Sequence, residues 1–403
     1  MLKEKILFII KAFRFILYPL YLISFFFPKK KDLWVFGSHH NRFSENAKAL
    51  FIYTSNKSQN IKAIWISGDK KLCQLLKKNG YHALYRWSLN GIYTTLRAKY
   101  YFYNVYSDDI NFYTSGNATL INLWHGIPLK TIEFDDKNGA LSKQFNSSLS
   151  FLYAFFKPYN FIRPDYVLSS SEIVSQKLSS AFRVSIDKCI EFSYPRTDLF
   201  FNLKLSNQLS EHSLEVLNEK ILNLKSSQKK IIFYVPTWRS DKTNFINVAI
   251  PDFDKLNNLL QTISTHLFIK LHPNDQLNTH NYSNIIFIDS KIDINELLVY
   301  SDYLLTDYSS VYFDYLLLDK EMIFYPFDLN TYTNKERKFY FDYEDITPGI
   351  KVYEFDALLE TFLNLNNLDY TDERITLKNK LWKYQDGNSS QRVNDYFYTM
   401  ASQ

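Results

Sequence analysis

After residue 31 the chain alternates short apolar runs with longer amphipathic stretches, and this alternation constrains the fold more than any other feature. Runs such as 33–38 and 230–235 are too short for helices and are rich in β-branched and aromatic residues, which is typical of buried strands. The stretches between them have helical periodicity. Repeated strand–helix units predict mostly parallel sheets with helices on both faces.

The alternation occurs in two series, separated by a polar stretch rich in Lys, Ser and Asn at 202–229. The predicted strands are 33–38, 61–66, 81–85, 100–103, 120–124, 165–168, 230–235, 266–271, 285–288, 302–306 and 322–325. The predicted helices are 44–56, 70–78, 254–263, 294–300 and 309–318, one that starts at Ser169–Glu172, and most of the last fifty residues.

Two doubly wound, Rossmann-like domains are therefore expected to face each other across a cleft, and 403 residues suit two domains of roughly 150–200 residues each. The predicted boundaries are 32–205 and 206–403, the second domain including the C-terminal helices. Ligands of such sheets bind beyond the carboxyl ends of the strands. Polar motifs that follow strands are the candidate site residues for this reason.

Before the first domain, residues 6–27 are almost entirely apolar but contain Lys11 and Arg14. Charges at the centre of a bilayer are costly, so an amphipathic helix lying in the membrane interface, bent at Pro19, is the favoured interpretation. Lys29–Lys31 then supply a basic cluster suited to anionic lipids, which makes 1–31 a predicted membrane-associating segment. A single-span anchor and a buried core helix are the alternatives. Both membrane interpretations predict a cytoplasmic location for the remainder of the chain.

The charge and the residue spacing narrow the class of ligand. The formal net charge is +5, which fits an anionic substrate or membrane, and no nucleic-acid-binding signature is present. Cys73 and Cys189 are far apart, and no spacing typical of a zinc or paired-metal site occurs. There is no Walker loop and no GxGxxG motif. We therefore expect neither a metal nor a cofactor, and any nucleotide to be held by helix N-termini and basic side chains.

The segment Thr306-Asp307-Tyr308-Ser309-Ser310 passes from a buried strand to a helix within three residues. Free amides at a helix N-terminus favour phosphate, and Ser309 and Ser310 add hydroxyl donors. An ordinary helix cap is the alternative. Asp386-Gly387-Asn388-Ser389-Ser390-Gln391-Arg392 offers a similar set of amides and hydroxyls with one guanidinium, or else a capped C-terminal helix.

Two histidines follow predicted strands. His125 lies in Trp124-His125-Gly126 with Lys130 shortly after, and His272 lies in Lys270-Leu271-His272-Pro273. An imidazole near neutral pKa suits proton transfer from an acceptor hydroxyl, so His125 is a candidate general base, and His272 could donate to phosphate. A structural role is the alternative for each. Arg239 also follows a predicted strand, and Arg196 lies near the domain boundary. Both are expected at the rim of the cleft, and a salt bridge is the alternative for each.

Together these segments resemble the CDP-glycerol glycerophosphotransferase family of teichoic acid and capsule synthesis. The matching pieces, in order, are Leu123–Gly126 with Lys130, Tyr194–Asp198, Pro236–Arg239, Lys270–Pro273, Ser301–Ser310 with Phe313–Tyr315, and Asp386–Gly387 with Ser389, Ser390 and Arg392. Val235 and Ser193 stand where the family more often has Ala and Gly. The match runs from about residue 33 to 395.

The resemblance implies a GT-B-like fold and a peripheral enzyme at the cytoplasmic face of the membrane. Its expected partners are CDP-glycerol or another CDP-polyol, a lipid-linked polyol-phosphate or glycan acceptor, and an anionic membrane surface. His125 and His272 would be catalytic. The donor would contact Arg239, Lys270, Thr306, Asp307, Ser309, Ser310, Asp386, Ser389, Ser390 and Arg392, and the acceptor side would include Gly126, Lys130 and Arg196. A GT-B glycosyltransferase that uses a nucleotide sugar and a non-catalytic scaffold remain the alternatives.

Overall fold

The computed structural model describes residues 13–138, 142–202, 212–237, 239, 245–270, 281–290, 292–329, 331–332 and 338–402. The chain divides into two compact units. The first comprises residues 1–126, 131–201 and 382–403, and the second comprises 127–130 and 202–381.

The first unit is built on a seven-stranded parallel sheet in the order β3-β2-β1-β4-β5-β6-β7. Its strands are β1 (Lys30–Gly37), β2 (Lys62–Ser67), β3 (Ala83–Tyr85), β4 (Ala98–Tyr103), β5 (Thr119–Asn122), β6 (Tyr166–Ser169) and β7 (Cys189–Glu191). The neighbours of β1 are β2 on one side and β4 on the other. The chain therefore reverses its direction of travel across the sheet at β1 and β4, and such switch points form ligand crevices in α/β sheets.

Helices follow most of these strands. They are α1 (Tyr18–Ser24), α2 (Glu45–Lys57), α3 (Lys70–Lys78), α4 (Leu89–Arg97), α5 (Ser142–Phe145), α6 (Ser150–Phe156) and α7 (Glu172–Phe182). The strand side chains that face them, such as Trp34, Val35 and Phe102, are fully buried. Burial on both faces accounts for the continuous apolar runs in the sequence.

The second unit has a six-stranded parallel sheet in the order β10-β9-β8-β11-β12-β13. Its strands are β8 (Lys230–Val235), β9 (Thr265–Lys270), β10 (Ile285–Ile288), β11 (Tyr303–Thr306), β12 (Glu321–Phe324) and β13 (Ile350–Lys351). Its helices are α8 (His212–Ser226), α9 (Phe245–Ala249), α10 (Phe253–Thr262), α11 (Asn295–Leu298), α12 (Val311–Tyr315), α13 (Phe355–Leu363) and α14 (Thr371–Leu381). The expected pair of parallel α/β domains is confirmed.

The last helix, α15 (Ser389–Ser402), packs in the first unit, although residues 206–403 are predicted as one domain. Its N-terminal amides bind a side chain of the first unit, and the ring of Phe397 lies against Tyr100 and Phe102 of β4. The C-terminal residues therefore return to the sheet from which the chain begins.

The N-terminal segment differs from the predicted continuous helix over 6–27. A 3-10 turn at Phe13–Leu17 precedes α1, and Pro19 lies in the first turn of α1, where its missing N–H costs nothing. Residues 1–12, including Lys11, lie outside the described part. No helix in the described ranges is long and apolar enough to cross a membrane.

Candidate active site

In the second unit, the strand-end motif after β11 centres on a buried ion-pair cluster. Asp307 is fully buried, and one of its oxygens accepts from the amide of Thr237 at 2.8 Å. Its other oxygen accepts from Arg239 at 2.7 Å. The same guanidinium donates to both oxygens of Asp328, at 2.8 and 3.0 Å. Arg239 thus joins the ends of β8 and β11 to the segment after β12.

The Arg239 side chain is only 2% exposed. Burial alone lowers the pKa of a guanidinium, but the two carboxylates outweigh burial and hold the pKa of Arg239 above its ordinary value. The guanidinium carbon also lies 5.0 Å from the ring centres of both Tyr308 and Tyr332. The predicted donor-binding residues Arg239 and Asp307 are therefore engaged with each other, and Asp328 is a partner that the sequence motifs do not include.

The other polar groups of this motif divide into two kinds. The hydroxyl of Thr306 is buried and donates to the carbonyl of Val235 at 2.7 Å, so it ties β11 to β8. Ser309 and Ser310 are half-buried and precede α12. That helix is only five residues long and continues as a 3-10 turn at Leu316–Leu318. Ser309 and Ser310 are thus the polar side chains of the motif that reach the surface.

At the end of β9, the ammonium of Lys270 donates to the carbonyl of Asp289 at 2.7 Å. This contact joins the carboxyl ends of β9 and β10. His272 lies outside the described residues. Its predicted role stays a prediction.

In the first unit, His125 lies just beyond β5 in a strained loop. Trp124 has a φ of 51°, in the left-handed region that a tryptophan rarely adopts, and Gly126 has a φ of 107°. The side chain of Asn46, fully buried in α2, donates to the carbonyls of Leu123 and Trp124, at 3.1 and 2.7 Å. The loop is therefore pinned immediately before His125, which is exposed.

The acceptor-side residues predicted with His125 are not all in one unit. Arg196 is buried and forms an ion pair with Glu45, while its amide donates to Asn46 at 3.0 Å. Gly126 belongs to the first unit and Lys130 to the second. The ammonium of Lys130 lies 5.1 Å from the ring centre of Tyr332.

The polar groups at and around the start of α15 already have partners within the first unit. The carboxylate of Asp198 accepts from the amides of Ser389 and Ser390, at 2.9 and 2.8 Å. Burial raises the pKa of Asp198 to about 6, although these hydrogen bonds oppose the rise. Arg392 donates to both oxygens of Asp386 at 2.8 Å, and the pKa of Asp386 falls to about 2. The predicted amides and guanidinium thus bind carboxylates of the same unit.

Between Asp386 and Ser389, the backbone at residue 387 adopts a conformation that requires glycine. Gly387 has a φ of 68°, and a Cβ at this position would lie 2.6 Å from the Cβ of Phe201. The scarcity of glycine in the chain makes Gly126 and Gly387 candidate positions of special backbone. Both have positive φ.

Among the described residues, no group of three or more His, Cys, Asp or Glu side chains is placed to hold a metal ion.

Comparison with known proteins identifies similar sequences of nearly the same length. A family model described as CDP-glycerol:poly(glycerophosphate) glycerophosphotransferase matches residues 19–398. A teichoic acid glycerol-phosphate transferase of Staphylococcus aureus (strain NCTC 8325 / PS 47) is 30% identical over 379 residues, which cover 91% of this chain and 92% of that protein. A teichoic acid poly(glycerol phosphate) polymerase of Bacillus spizizenii (strain ATCC 23059 / NRRL B-14472 / W23) is 28% identical over 410 residues, covering 97% and 98%.

Solved structures give the same result. The wall teichoic acid polymerase TagF superposes with a TM-score of 0.78 and 25% sequence identity, over 99% of this chain and 96% of that chain. Both parallel-sheet units are therefore present in a protein of similar sequence.

Proposed function

The chain belongs to the CDP-glycerol:poly(glycerophosphate) glycerophosphotransferase family, and from that premise we propose that it transfers glycerol phosphate from CDP-glycerol to a growing teichoic acid or capsule polymer and releases CMP. The observation that carries this proposal is the match of the family model to residues 19–398. The similar transferase and polymerase are matched over 92% and 98% of their own lengths, so the likeness is not confined to one domain.

The proposed reaction is one displacement at phosphorus. A hydroxyl oxygen of the acceptor attacks the phosphorus that bears glycerol, and the bond from that phosphorus to the CMP oxygen breaks. The proton of the hydroxyl passes to His125, which is exposed beyond β5. CMP leaves with the electron pair of the broken bond. Neutralising charge on the leaving phosphate is the main task left to the protein.

We place the donor phosphates at the carboxyl edge of the second sheet, near Ser309 and Ser310. These side chains are half-buried, so they can meet a ligand without a rearrangement of the core. The buried ion pair between Arg239 and Asp307 fixes the backbone just before Ser309 and Ser310. The amides of Ser389 and Ser390 could bind the donor only if Asp198 were displaced, whereas the guanidinium of Arg392 has more N–H groups than its two bonds to Asp386 use. Their predicted role in donor binding stays a prediction.

A donor screen tests the function. Each reaction contains purified protein, a glycerol-phosphate oligomer and one donor. The donors compared are CDP-glycerol, CDP-ribitol and a UDP-sugar. Mass spectrometry then follows the nucleotide and the oligomer. We expect CMP and an oligomer longer by one or more glycerol phosphate units with CDP-glycerol. Release of UDP with transfer of a sugar would identify a glycosyltransferase instead, and CMP only with CDP-ribitol would change the polyol.

We also propose that the enzyme binds the cytoplasmic surface of the membrane through an apolar surface formed by α1 with its flanking residues and by α6. The ring of Phe15 lies 6.4 Å from that of Phe155, which joins the two segments. The following side chains there are 40–86% exposed: Phe15, Ile16, Leu22, Ile23, Phe25, Phe26, Leu152, Phe155, Phe156 and Phe151. An exposed apolar surface of this size marks an interaction site.

The face of α1 that contains Tyr18 and Tyr21 packs on the rest of the first unit. The ring of Tyr21 stacks on Phe112 at 4.4 Å, and the hydroxyl of Ser24 accepts from the amide of Gly116 at 2.9 Å. The tyrosine face is therefore turned toward the protein. One lysine of the predicted basic cluster is engaged with the protein. The ammonium of Lys29 donates to the carbonyl of Leu96 at 2.8 Å, and burial lowers the pKa of Lys29 to about 8.

Substitution of two exposed phenylalanines tests this surface. The double variant Phe26→Glu and Phe151→Glu is expected to bind vesicles of phosphatidylglycerol and phosphatidylcholine at least tenfold more weakly in flotation, because each phenylalanine loses about 1.5–3 kcal/mol of apolar burial. Leu363→Glu combined with Val248→Glu, at two exposed apolar residues of the second unit, is the control because it adds the same negative charge. Equal flotation of the double variant and the control would contradict the proposal.

A further inference from the structure

The loop after β1 contains His39, which lies outside the motifs that carry the family resemblance. Its Nδ1 atom lies 3.2 Å from Oδ1 of Asp109, which lies in the loop after β4. β1 and β4 are neighbours, and the chain leaves them toward opposite edges of the sheet. The pair therefore sits at the switch point of the first sheet, where open α/β sheets bind ligands.

The carboxylate of the pair is fixed by the backbone. Asp109 has a side chain that is 3% exposed, and its second oxygen accepts from the amides of Asn104 and Val105, at 3.1 and 2.9 Å. The first oxygen is thereby held toward His39, whose side chain is 49% exposed. When Nδ1 donates to a carboxylate, a neutral imidazole has its lone pair on Nε2, on the far side of the ring. The arrangement presents a hydrogen-bond acceptor of fixed direction.

The two loops are also locked to each other. The guanidinium of Arg86 donates to the carbonyls of Asp108 and Asp109, at 2.8 and 2.7 Å, and to the side chain of Asn41 at 2.9 Å. The residues after His39 adopt left-handed conformations, with φ of 56° at His40 and 59° at Asn41. His and Asn enter this region more readily than most residues, and the hydrogen bond from Arg86 to Asn41 fixes the backbone just after His39.

We propose that His39, oriented by Asp109, is an acceptor-binding residue, and that its Nε2 accepts a hydrogen bond from a free hydroxyl of the polyol polymer. The inference rests on the proposed function. One strand separates β1 from β5, so the loops of His39 and His125 are about 10 Å apart along the edge of the sheet. An internal glycerol of a poly(glycerol phosphate) has two of its three hydroxyls esterified. His39 therefore binds the remaining hydroxyl of a unit near the reacting end.

Two substitutions separate this role from a purely structural one. In His39→Asn the amide nitrogen stands at the position of Nδ1, so the contact with Asp109 is kept and the outward acceptor is lost. In His39→Gln the longer amide reaches the position of Nε2, so the outward group is kept and the contact with Asp109 is lost. His82→Asn is the matched control. His82 is exposed and immediately precedes β3, so it lies at the amino ends of the strands, whereas His39 lies at their carboxyl ends.

The readout is steady-state kinetics of CMP release, with CDP-glycerol as donor and a glycerol-phosphate oligomer as acceptor. His39→Asn is expected to raise KM for the oligomer about three- to tenfold, the value of one hydrogen bond, with KM for CDP-glycerol unchanged. His39→Gln should lie between this variant and the wild type. His82→Asn should match the wild type.

The opposite order, with His39→Gln impaired and His39→Asn normal, would show that His39 only holds Asp109. Equal KM values for all variants would also overturn the proposal. If the wild type releases no CMP from CDP-glycerol, the proposed function itself fails, and the inference falls with it. The thermal melting temperature of each variant identifies any that does not fold.

Discussion

Replacing His125 by alanine is expected to lower kcat about 10²–10⁴-fold while the affinity for CDP-glycerol stays within about twofold, since loss of a general base removes proton transfer but no donor contact. The backbone should tolerate the change. The hydrogen bond from Asn46 to the carbonyl of Trp124 does not involve the imidazole and should hold the loop, while the variant loses the contact between the rings of His125 and Trp124, whose centres lie 4.0 Å apart. CMP release measures kcat, and calorimetric titration of CDP-glycerol measures the affinity.

Two controls accompany this variant. His82→Ala removes an exposed histidine that immediately precedes β3, at the amino ends of the strands of the same sheet, and it should leave kcat unchanged. Added imidazole should restore part of the activity of His125→Ala, because a small base can enter the space that the side chain leaves. Turnover near the wild-type rate would show that another group takes the proton. A large loss of donor affinity would show that His125 binds the donor.

The sequence predicts eleven of the thirteen described strands, because most strands can be recognised from their own residues. The strands β7 and β13 are not predicted, since three and two residues are too few to form a recognisable apolar run. The boundaries of β8 and β10 are predicted without error, at 230–235 and 285–288, and α3 likewise at 70–78. A strand buried on both faces must be apolar throughout, so the local pattern is sufficient. The polar motifs are predicted to follow strand ends, and the structure places Thr306 as the last residue of β11 and His125 just beyond β5.

What each polar side chain contacts could not be predicted in this way. Ser389 and Ser390 are typical of a phosphate site because a helix N-terminus leaves its amides free for any anion. The structure supplies that anion as Asp198, which lies 191 and 192 residues earlier in the chain. No local pattern distinguishes an external phosphate from a distant carboxylate. The same holds for Asp328, since its pairing with Arg239 depends on how β12 lies beside β11.

The N-terminal segment shows a related limit. The segment is predicted to be amphipathic, but tyrosines such as Tyr18 and Tyr21 suit either a membrane interface or an aromatic protein surface. In the structure, Tyr18 and Tyr21 pack against the rings of Tyr113 and Phe112, so the tyrosines of α1 contact the protein. The apolar residues then remain outside, beside those of α6.

Arg239→Ala is expected to lower the free energy of unfolding of the second unit by about 3–5 kcal/mol, because it leaves Asp307 and Asp328 buried without their cation. Amide hydrogen exchange in β8 and β11 measures the loss locally, which matters in a chain of two units. Lys255→Ala is the control, since its ion pair with Asp356 is exposed and should contribute less than about 1 kcal/mol. Protection of β8 and β11 as strong as in the wild type would contradict the expectation.

A variant without any of the three charges decides why the single substitution is harmful. Arg239→Met combined with Asp307→Asn and Asp328→Asn removes the cation and both buried anions together. If the unpaired carboxylates are the cause, this triple variant should be more stable than Arg239→Ala, because replacing a whole buried ionic cluster is far less costly than breaking it. The side-chain amide introduced by Asp307→Asn would still offer one oxygen to the backbone amide of Thr237, which in the wild type donates to Asp307. A triple variant as unstable as Arg239→Ala would instead assign the stability to the guanidinium and its contacts with Tyr308 and Tyr332.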